Sequence, residues 1–191
     1  MTTLKGNFFT AGAKITVTVD DAFDSENSKE YNVWNGQSDT SWYNPENTSV
    51  NEYTLTNPQQ LAGLAELVDG GNDFAGKTIK LDVDVILSEE NWDPIGDNRT
   101  DNAAFKGVFD GQNHTIQGAH ITGDHCFNGA VYGSKEGWGL FSVVDGATIK
   151  NIIMDNANIS GESGLCGVVA AVAENVTFEN ITVKNSKCAD Y

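Results

Sequence analysis

The sequence predicts an all-β solenoid of short stacked strands with one amphipathic helix ahead of them, and three observations predict it. Two segments near the C-terminus almost repeat each other: Thr148–Met154 reads TIKNIIM, and Thr177–Val183, 29 residues later, reads TFENITV. A looser copy, TIQGAHI, lies upstream at Thr115–Ile121. In all three, apolar residues alternate around a small or polar middle residue (Asn151, Asn180 or Gly118), which is the period of a strand with one face inside. Self-similarity at about 20–50 residues marks units that bury their apolar faces only by stacking on one another.

The elements follow in order. Lys14–Val19 (KITVTV) alternates as a strand, and the acidic Ser/Asn/Asp stretch behind it reads as a loop. Residues 34–51 are rich in Asn, Ser, Thr and aromatics, with a turn at Asn35-Gly36. Residues 1–55 are therefore expected to form an irregular N-terminal segment, followed by a domain over 56–191. Thr56-Asn57-Pro58-Gln59 reads as a capping box in which Thr56 accepts from an early backbone N–H and Gln59 reaches back. Pro58 lacks only an N–H that is spare in the first turn. Leu61, Leu64, Ala65 and Val68 then form one apolar helix face, and Gly70 and Gly71 end the helix. Everything after it reads as strand. Lys77–Leu87 alternates, with Ile79, Leu81, Val83, Val85 and Leu87 on one face; Phe105–Ile116 carries Phe105 and Phe109 ahead of a turn at Asp110–Asn113. Gly139–Val144 (GLFSVV) and Gly164–Val169 (GLCGVV) precede the two TIxN copies.

Composition narrows the partners. A net charge of −16 and a pI near 4.3 argue against nucleic acid and anionic membranes as partners, since both bind through basic patches. No segment has the length of a transmembrane helix, and the N-terminus lacks the charged and apolar regions of a signal peptide, so the chain is expected to be mature, truncated or never secreted by a signal peptide. Cys126, Cys166 and Cys188 are odd in number, without zinc-site spacing. Cys188 aligns with Ile159 at the 29-residue offset and is expected to point inward, and a Cys166–Cys188 bridge is left open. Six N-x-[ST] triplets begin at Asn47, Asn98, Asn113, Asn158, Asn175 and Asn180. They read as by-products of composition, with Asn113 and Asn180 needed in turns or ladders.

Phe105–Ile116 (FKGVFDGQNHTI) resembles a segment of bacterial surface proteins with GLUG-type repeats, first described in immunoglobulin A peptidases. The likeness extends to Gly139-Leu140-Phe141, to Ala147–Ile152 and to Gly164–Gly167. Upstream, the helix, Lys77–Leu81 and Trp92-x-Pro94-Ile95-Gly96 are similar to the leader of such repeats, so the resemblance covers about residues 34–188. It implies a right-handed parallel β-helix closed at its N-terminal end by the helix. Ser142 departs from the pattern, where the family carries a Gly, as does the apolar run Val168–Ala171. No C-terminal cap is evident, so the chain is expected to be truncated there or to have that end covered by another domain or chain.

Candidate sites are few. His114, His120 and His125 with Cys126 lie close enough in sequence to suggest a metal, but His114 belongs to a turn motif and His120 alternates outward. No metal is expected there. Asp82 and Asp84, two apart on a strand, resemble a carboxylate pair, yet glycosidic chemistry needs the pair placed across a cleft; no catalytic residue is assigned. Asp97–Asn102 offers oxygen ligands for weak Ca²⁺ binding without the glycine and distal glutamate of an EF-hand. Trp34, Trp42, Tyr43 and Trp92 are expected to pack between the N-terminal segment and the helix. Trp138, between Gly137 and Gly139, is expected to be exposed and to stack on a sugar ring. Together these readings point to a non-catalytic extracellular or cell-surface module for adhesion or glycan recognition, binding a glycan or host surface protein and requiring no cofactor. A polysaccharide lyase or hydrolase domain and a phage tail component are the alternatives.

Overall fold

The computed structural model of the chain describes residues 32–87, 91–96, 103–122, 137–161 and 165–190. The expected strand at Lys14–Val19 lies outside them. Strands β1 (Asn32–Val33) and β2 (Glu52–Leu55) precede helix α1 (Pro58–Asp69). Then come β3 (Thr78–Leu81) and β4 (Val85–Ile86), followed by β5 (Val108–Asp110), β6 (Thr115–Gln117) and β7 (His120–Thr122). The next layer holds β8 (Gly137–Trp138), β9 (Phe141–Asp145), β10 (Thr148–Asp155) and β11 (Asn158–Gly161). The last holds β12 (Leu165–Cys166), β13 (Ala170–Glu174), β14 (Thr177–Lys184) and β15 (Lys187–Asp190). Each pairing between these strands is parallel, giving a mostly-β fold of curled parallel sheets.

The 29-residue repeat is the register of the last two layers: Thr148 pairs with Thr177, Met154 with Val183, and Ile159 with Cys188. The upstream copy does not fit that frame. Thr148–Lys150 pair with Val108–Asp110, while Ile153–Asp155 pair with Thr115–Gln117. Four residues, Gly111–His114, turn the corner that Asn151 and Ile152 turn in β10, so TIQGAHI sits against the second half of β10 and the strand after it.

The corners explain the asparagines. Gly118, Asn156 and Asn185 occupy equivalent bends at φ 71°, 55° and 51°, and Asn113, Asn151 and Asn180 another set at 65°, 54° and 50°. This left-handed region disfavours most side chains, whereas Gly and Asn adopt it readily. In the second set the amides form a ladder: Asn180 Nδ2 donates to Asn151 Oδ1 at 3.0 Å and to Asn113 Oδ1 at 2.9 Å, and Asn151 Nδ2 donates to Asp110 Oδ1 at 2.9 Å. Asn113 and Asn180 thus hold the turn and ladder positions expected of them.

Asp110 anchors this ladder and carries a pH dependence. Burial alone pushes its carboxyl up, but hydrogen bonds from Asn151, the Gln112 N–H and Lys150 outweigh that and hold it below the ordinary value of 3.8. A depressed folded pKa stabilises the fold above the unfolded value, and that stabilisation is lost as pH falls through the folded one. Asp110→Asn is therefore expected to lower stability above pH 3.8 and to differ progressively less from the parent below it. Urea unfolding across the acid range checks this.

The helix forms where expected, but its cap is shifted by one residue. The N-cap is Asn57, at φ −156° and ψ 163°, whose side chain accepts from the Gln60 N–H at 2.9 Å. Gln60 Oε1, not Gln59, reaches back to the Thr56 N–H at 2.8 Å. Pro58 at the first helical position fixes this frame, since its preset φ belongs inside the helix. At the other end, the Asn72 N–H bonds the Leu67 carbonyl at 3.0 Å and the Gly71 N–H the Val68 carbonyl at 2.9 Å, with Gly71 at φ 98°, a Schellman motif. Leu61, Leu64, Ala65 and Val68 are buried in one core with Ile79 and Leu81. The helix lies so close to the N-terminal loop that a Cβ on Gly63 would fall on the Asp39 carbonyl oxygen.

Lys77–Leu87 is not one strand. The chain bends between β3 and β4, leaving Asp82 exposed and Asp84 buried. Cys166 and Cys188 form a disulfide with Cα atoms 6.1 Å apart. Cys188 sits in the inward register against Ile159 but is exposed, because no described strand lies over the last layer.

Candidate functional site

A cavity of about 400 Å³ opens at the helix end of the stack, in the range of small-molecule sites. Three stretches build it. The residues after β1 bring Trp34, Gly36 and Ser38; one flank of α1, running from its buried face to the surface, brings Ala62, Ala65, Glu66 and Asp69; the segment before Ile95 brings Asn91, Trp92 and Asp93. The helix period places Ala62, Ala65, Glu66 and Asp69 along one flank.

Two indoles form its floor. Trp34 and Trp92 meet edge to face, with centroids 5.3 Å apart and an interplanar angle of 70°. Both ring N–H groups are spent on the protein: Trp34 Nε1 donates to the Gln37 carbonyl at 2.7 Å and Trp92 Nε1 to the Leu140 carbonyl at 3.2 Å. The indoles are thus held rigid, and with Trp34 6% and Trp92 1% exposed they form the floor of the cavity rather than an open stacking surface. Around them stand oxygen acceptors. Ser38 Oγ donates to Glu66 Oε2, fixing one carboxylate at the mouth. Asn91 Oδ1 accepts from the Thr122 N–H at 3.0 Å, tying this wall to β7. Such a surface presents carboxylates to hydroxyl or amine donors over an apolar floor.

The sequence-predicted residues lie elsewhere. Trp138, expected to be exposed, is only 3% exposed. Its neighbours explain why: Cys166 pairs with it in β12, and Gly139 approaches the Gly167 carbonyl too closely for any Cβ. The glycines flanking Trp138 permit close layer packing instead of a protruding loop. Asp82 and Asp84 do not form a pair. Asp84 accepts from the Thr115 N–H at 2.6 Å and lies 3.2 Å from His114 Nδ1, holding one layer to the next, while Asp82 Oδ1 meets Gln112 Nε2 at 3.5 Å. His120 faces outward from β7. Among the described residues no three His, Cys, Asp or Glu side chains converge for a metal. His125, Cys126 and the Asp97–Asn102 loop lie outside the described residues.

The remaining aromatics pack away from the cavity, on β2 and the loop after the helix. Trp42 stacks on Phe74 at 5.9 Å and meets Tyr53 edge on at 5.5 Å, with Tyr43 alongside. The cavity itself was not legible in the sequence, because its residues span positions 34 to 93 with no common motif. The recurrence of tryptophan beside Asn and Asp, in Val33-Trp34-Asn35 and Asn91-Trp92-Asp93, is the one local signal it leaves.

No family model matches the chain, and no solved structure matches it. The chain is similar to halomucin of Haloquadratum walsbyi, with 29% identity over 141 residues. That alignment covers 68% of this chain and 1% of halomucin, so the chain spans about a hundredth of that relative's length.

Proposed function

We propose that the chain is a non-catalytic glycan-binding module, a helix-capped right-handed parallel β-helix of the GLUG-repeat type that works in adhesion outside the cell or at its surface. The observation that carries this reading is the cavity floored by Trp34 and Trp92 with Glu66, Asp69 and Asp93 around it. Sugars present a fringe of hydroxyl donors, which carboxylate acceptors at the mouth of a cavity complement, while the two buried indoles hold its floor rigid. The strong net negative charge favours neutral or amino sugars over sulfated or uronic ones. Similarity to a protein named as a mucin fits an extracellular setting.

Glycan-array screening followed by titration calorimetry tests this. A neutral or amino-sugar oligosaccharide is expected to bind, and Glu66→Gln is expected to weaken it about tenfold or more, the loss of a charge-assisted hydrogen bond. Because Glu66 is exposed, the variant keeps its fold. Absence of any glycan ligand, or binding indifferent to Glu66→Gln, counts against the reading. Polysaccharide turnover lost in Asp82→Asn would replace it with a lyase or hydrolase.

A further inference from the structure

The Asn-x-Ser/Thr triplets, by-products on composition alone, are unequal in the folded chain. Those at Asn113, Asn158, Asn175 and Asn180 all place their hydroxyl residue in a paired strand: Thr115 in β6, Ser160 in β11, and Thr177 and Thr182 in β14. Two of them also spend their amides on the ladder, Asn113 as acceptor and Asn180 as donor. An acceptor asparagine enters a transferase cleft together with the two residues after it. Each of these four would have to leave its sheet to do so, giving up backbone hydrogen bonds to the neighbouring layer. The triplet at Asn98 lies outside the described residues.

Asn47-Thr48-Ser49 is placed differently. It sits in the loop between β1 and β2, where residues 44–49 are all exposed. The loop is pinned on both sides. Trp42 packs on Phe74 before it, and Lys77 Nζ donates to the Val50 carbonyl at 2.7 Å after it. Between these pins the hydrogen bonds are local. The Glu46 N–H donates to Asn44 Oδ1 at 3.0 Å, the Asn47 N–H to the Asn44 carbonyl at 3.1 Å and the Val50 N–H to the Asn47 carbonyl at 3.4 Å. Lifting this turn therefore breaks no strand pairing. Its side chains are arranged as well: Ser49 Oγ donates to Asn47 Oδ1 at 2.7 Å, which leaves the amide nitrogen, Nδ2, without a partner among the described residues.

We propose that Asn47 is an N-glycosylation site, the acceptor that the folded chain offers to an oligosaccharyltransferase. The co-reactant is a lipid-linked sugar diphosphate. Asn47 Nδ2 bonds to the anomeric carbon of the sugar, and the bond from that carbon to the diphosphate oxygen breaks. The diphosphate leaves with the electron pair, and the amide gives up one proton to a base of the transferase. Ser49 supplies the hydroxyl that such an enzyme reads, and Thr48 between them is not proline. The bulk of the glycan then meets solvent at the loop, where no layer packs. This inference does not depend on what the cavity binds. In the cell it requires export, whereas the purified reaction does not, so the two readings fail separately.

Incubating the folded chain with a purified oligosaccharyltransferase that reads Asn-x-Ser/Thr and a lipid-linked oligosaccharide tests it, with intact mass and peptide mapping as the readout. Peptides spanning the other four triplets serve as unfolded references. The chain is expected to gain the donor's glycan on Asn47 and on none of Asn113, Asn158, Asn175 and Asn180, while the four peptides accept it. Asn47→Gln and Ser49→Ala are expected to abolish transfer to the loop, and Ser49→Thr to preserve it. Both positions are exposed, so far-ultraviolet dichroism should not change. An Asn47 left unmodified, transfer to any of the other four in the folded chain, modification of Asn47 that survives Ser49→Ala, or peptides refused as the folded sites are would each overturn the proposal.

Discussion

Phe109→Ala is expected to destabilise the fold by about 3–5 kcal/mol, while Phe178→Ala, at the equivalent place two layers on, is expected to cost about 1 kcal/mol. The two phenylalanines flank one residue: Ile149 pairs with Phe109 on one side and Phe178 on the other. They share residue type, strand column and inward direction. They differ in cover, Phe109 being wholly buried and Phe178 45% exposed. Phe109 also meets Phe141 edge to face at 5.4 Å, and Phe141 lies 5.5 Å from Phe105, which lies 6.3 Å from Phe74. Truncation at Phe109 opens a cavity in this aromatic column, and stacked layers cannot close inward without breaking register. Truncation at Phe178 removes surface that water already reaches. Chemical denaturation gives both values. Equal losses would mean that the last layer is covered in the isolated chain.

The legible parts of the fold were those where one residue's periodicity equals its burial. The helix face, the alternation from Lys77 and the TIxN repeat all reduce to a period of 3.6 or 2, and each places the expected side chains inside. Errors arose where the chain turns. Lys77–Leu87 reads as one strand because Ile79, Leu81, Val83, Val85 and Leu87 keep strict alternation, yet Asp84 takes its hydrogen bonds from Thr115 and His114 in the next layer and bends the chain there. That partner is 31 residues away, and nothing local announces it. Trp138 is buried for a related reason. Gly137 and Gly139 suggest a flexible, exposed loop, whereas their missing Cβ atoms let the next layer come close. The capping box was off by one because Thr and Asn are both good caps, and only the position of Pro58 separates them. The cavity leaves no motif in the sequence, since three unrelated stretches fold together to make it.

The left-handed corners make the second large prediction. Asn151 sits at φ 54° in the middle of β10, with its amide bonded to Asp110 on one side and to Asn180 on the other. Asn151→Gly keeps the bend available but deletes both hydrogen bonds and frees the unfolded chain. Its expected cost is about 2–3 kcal/mol. Asn151→Val deletes the same bonds and also forces a β-branched side chain into the left-handed region, which adds about 1–2 kcal/mol. Its expected cost is therefore about 4 kcal/mol. The difference between the variants isolates the conformational part, and the glycine value isolates the ladder. Glycine also removes the first of the hydrogen bonds that depress Asp110, so its acid unfolding should begin at higher pH than the parent's. If glycine were as stable as asparagine, the amide ladder would be ornamental and asparagine would recur at these corners only for its tolerance of positive φ. If valine were as stable as glycine, the corner would have room to leave the left-handed region, and the register of Thr148–Lys150 and Ile152–Asp155 on the two sides of Asn151 would not depend on it.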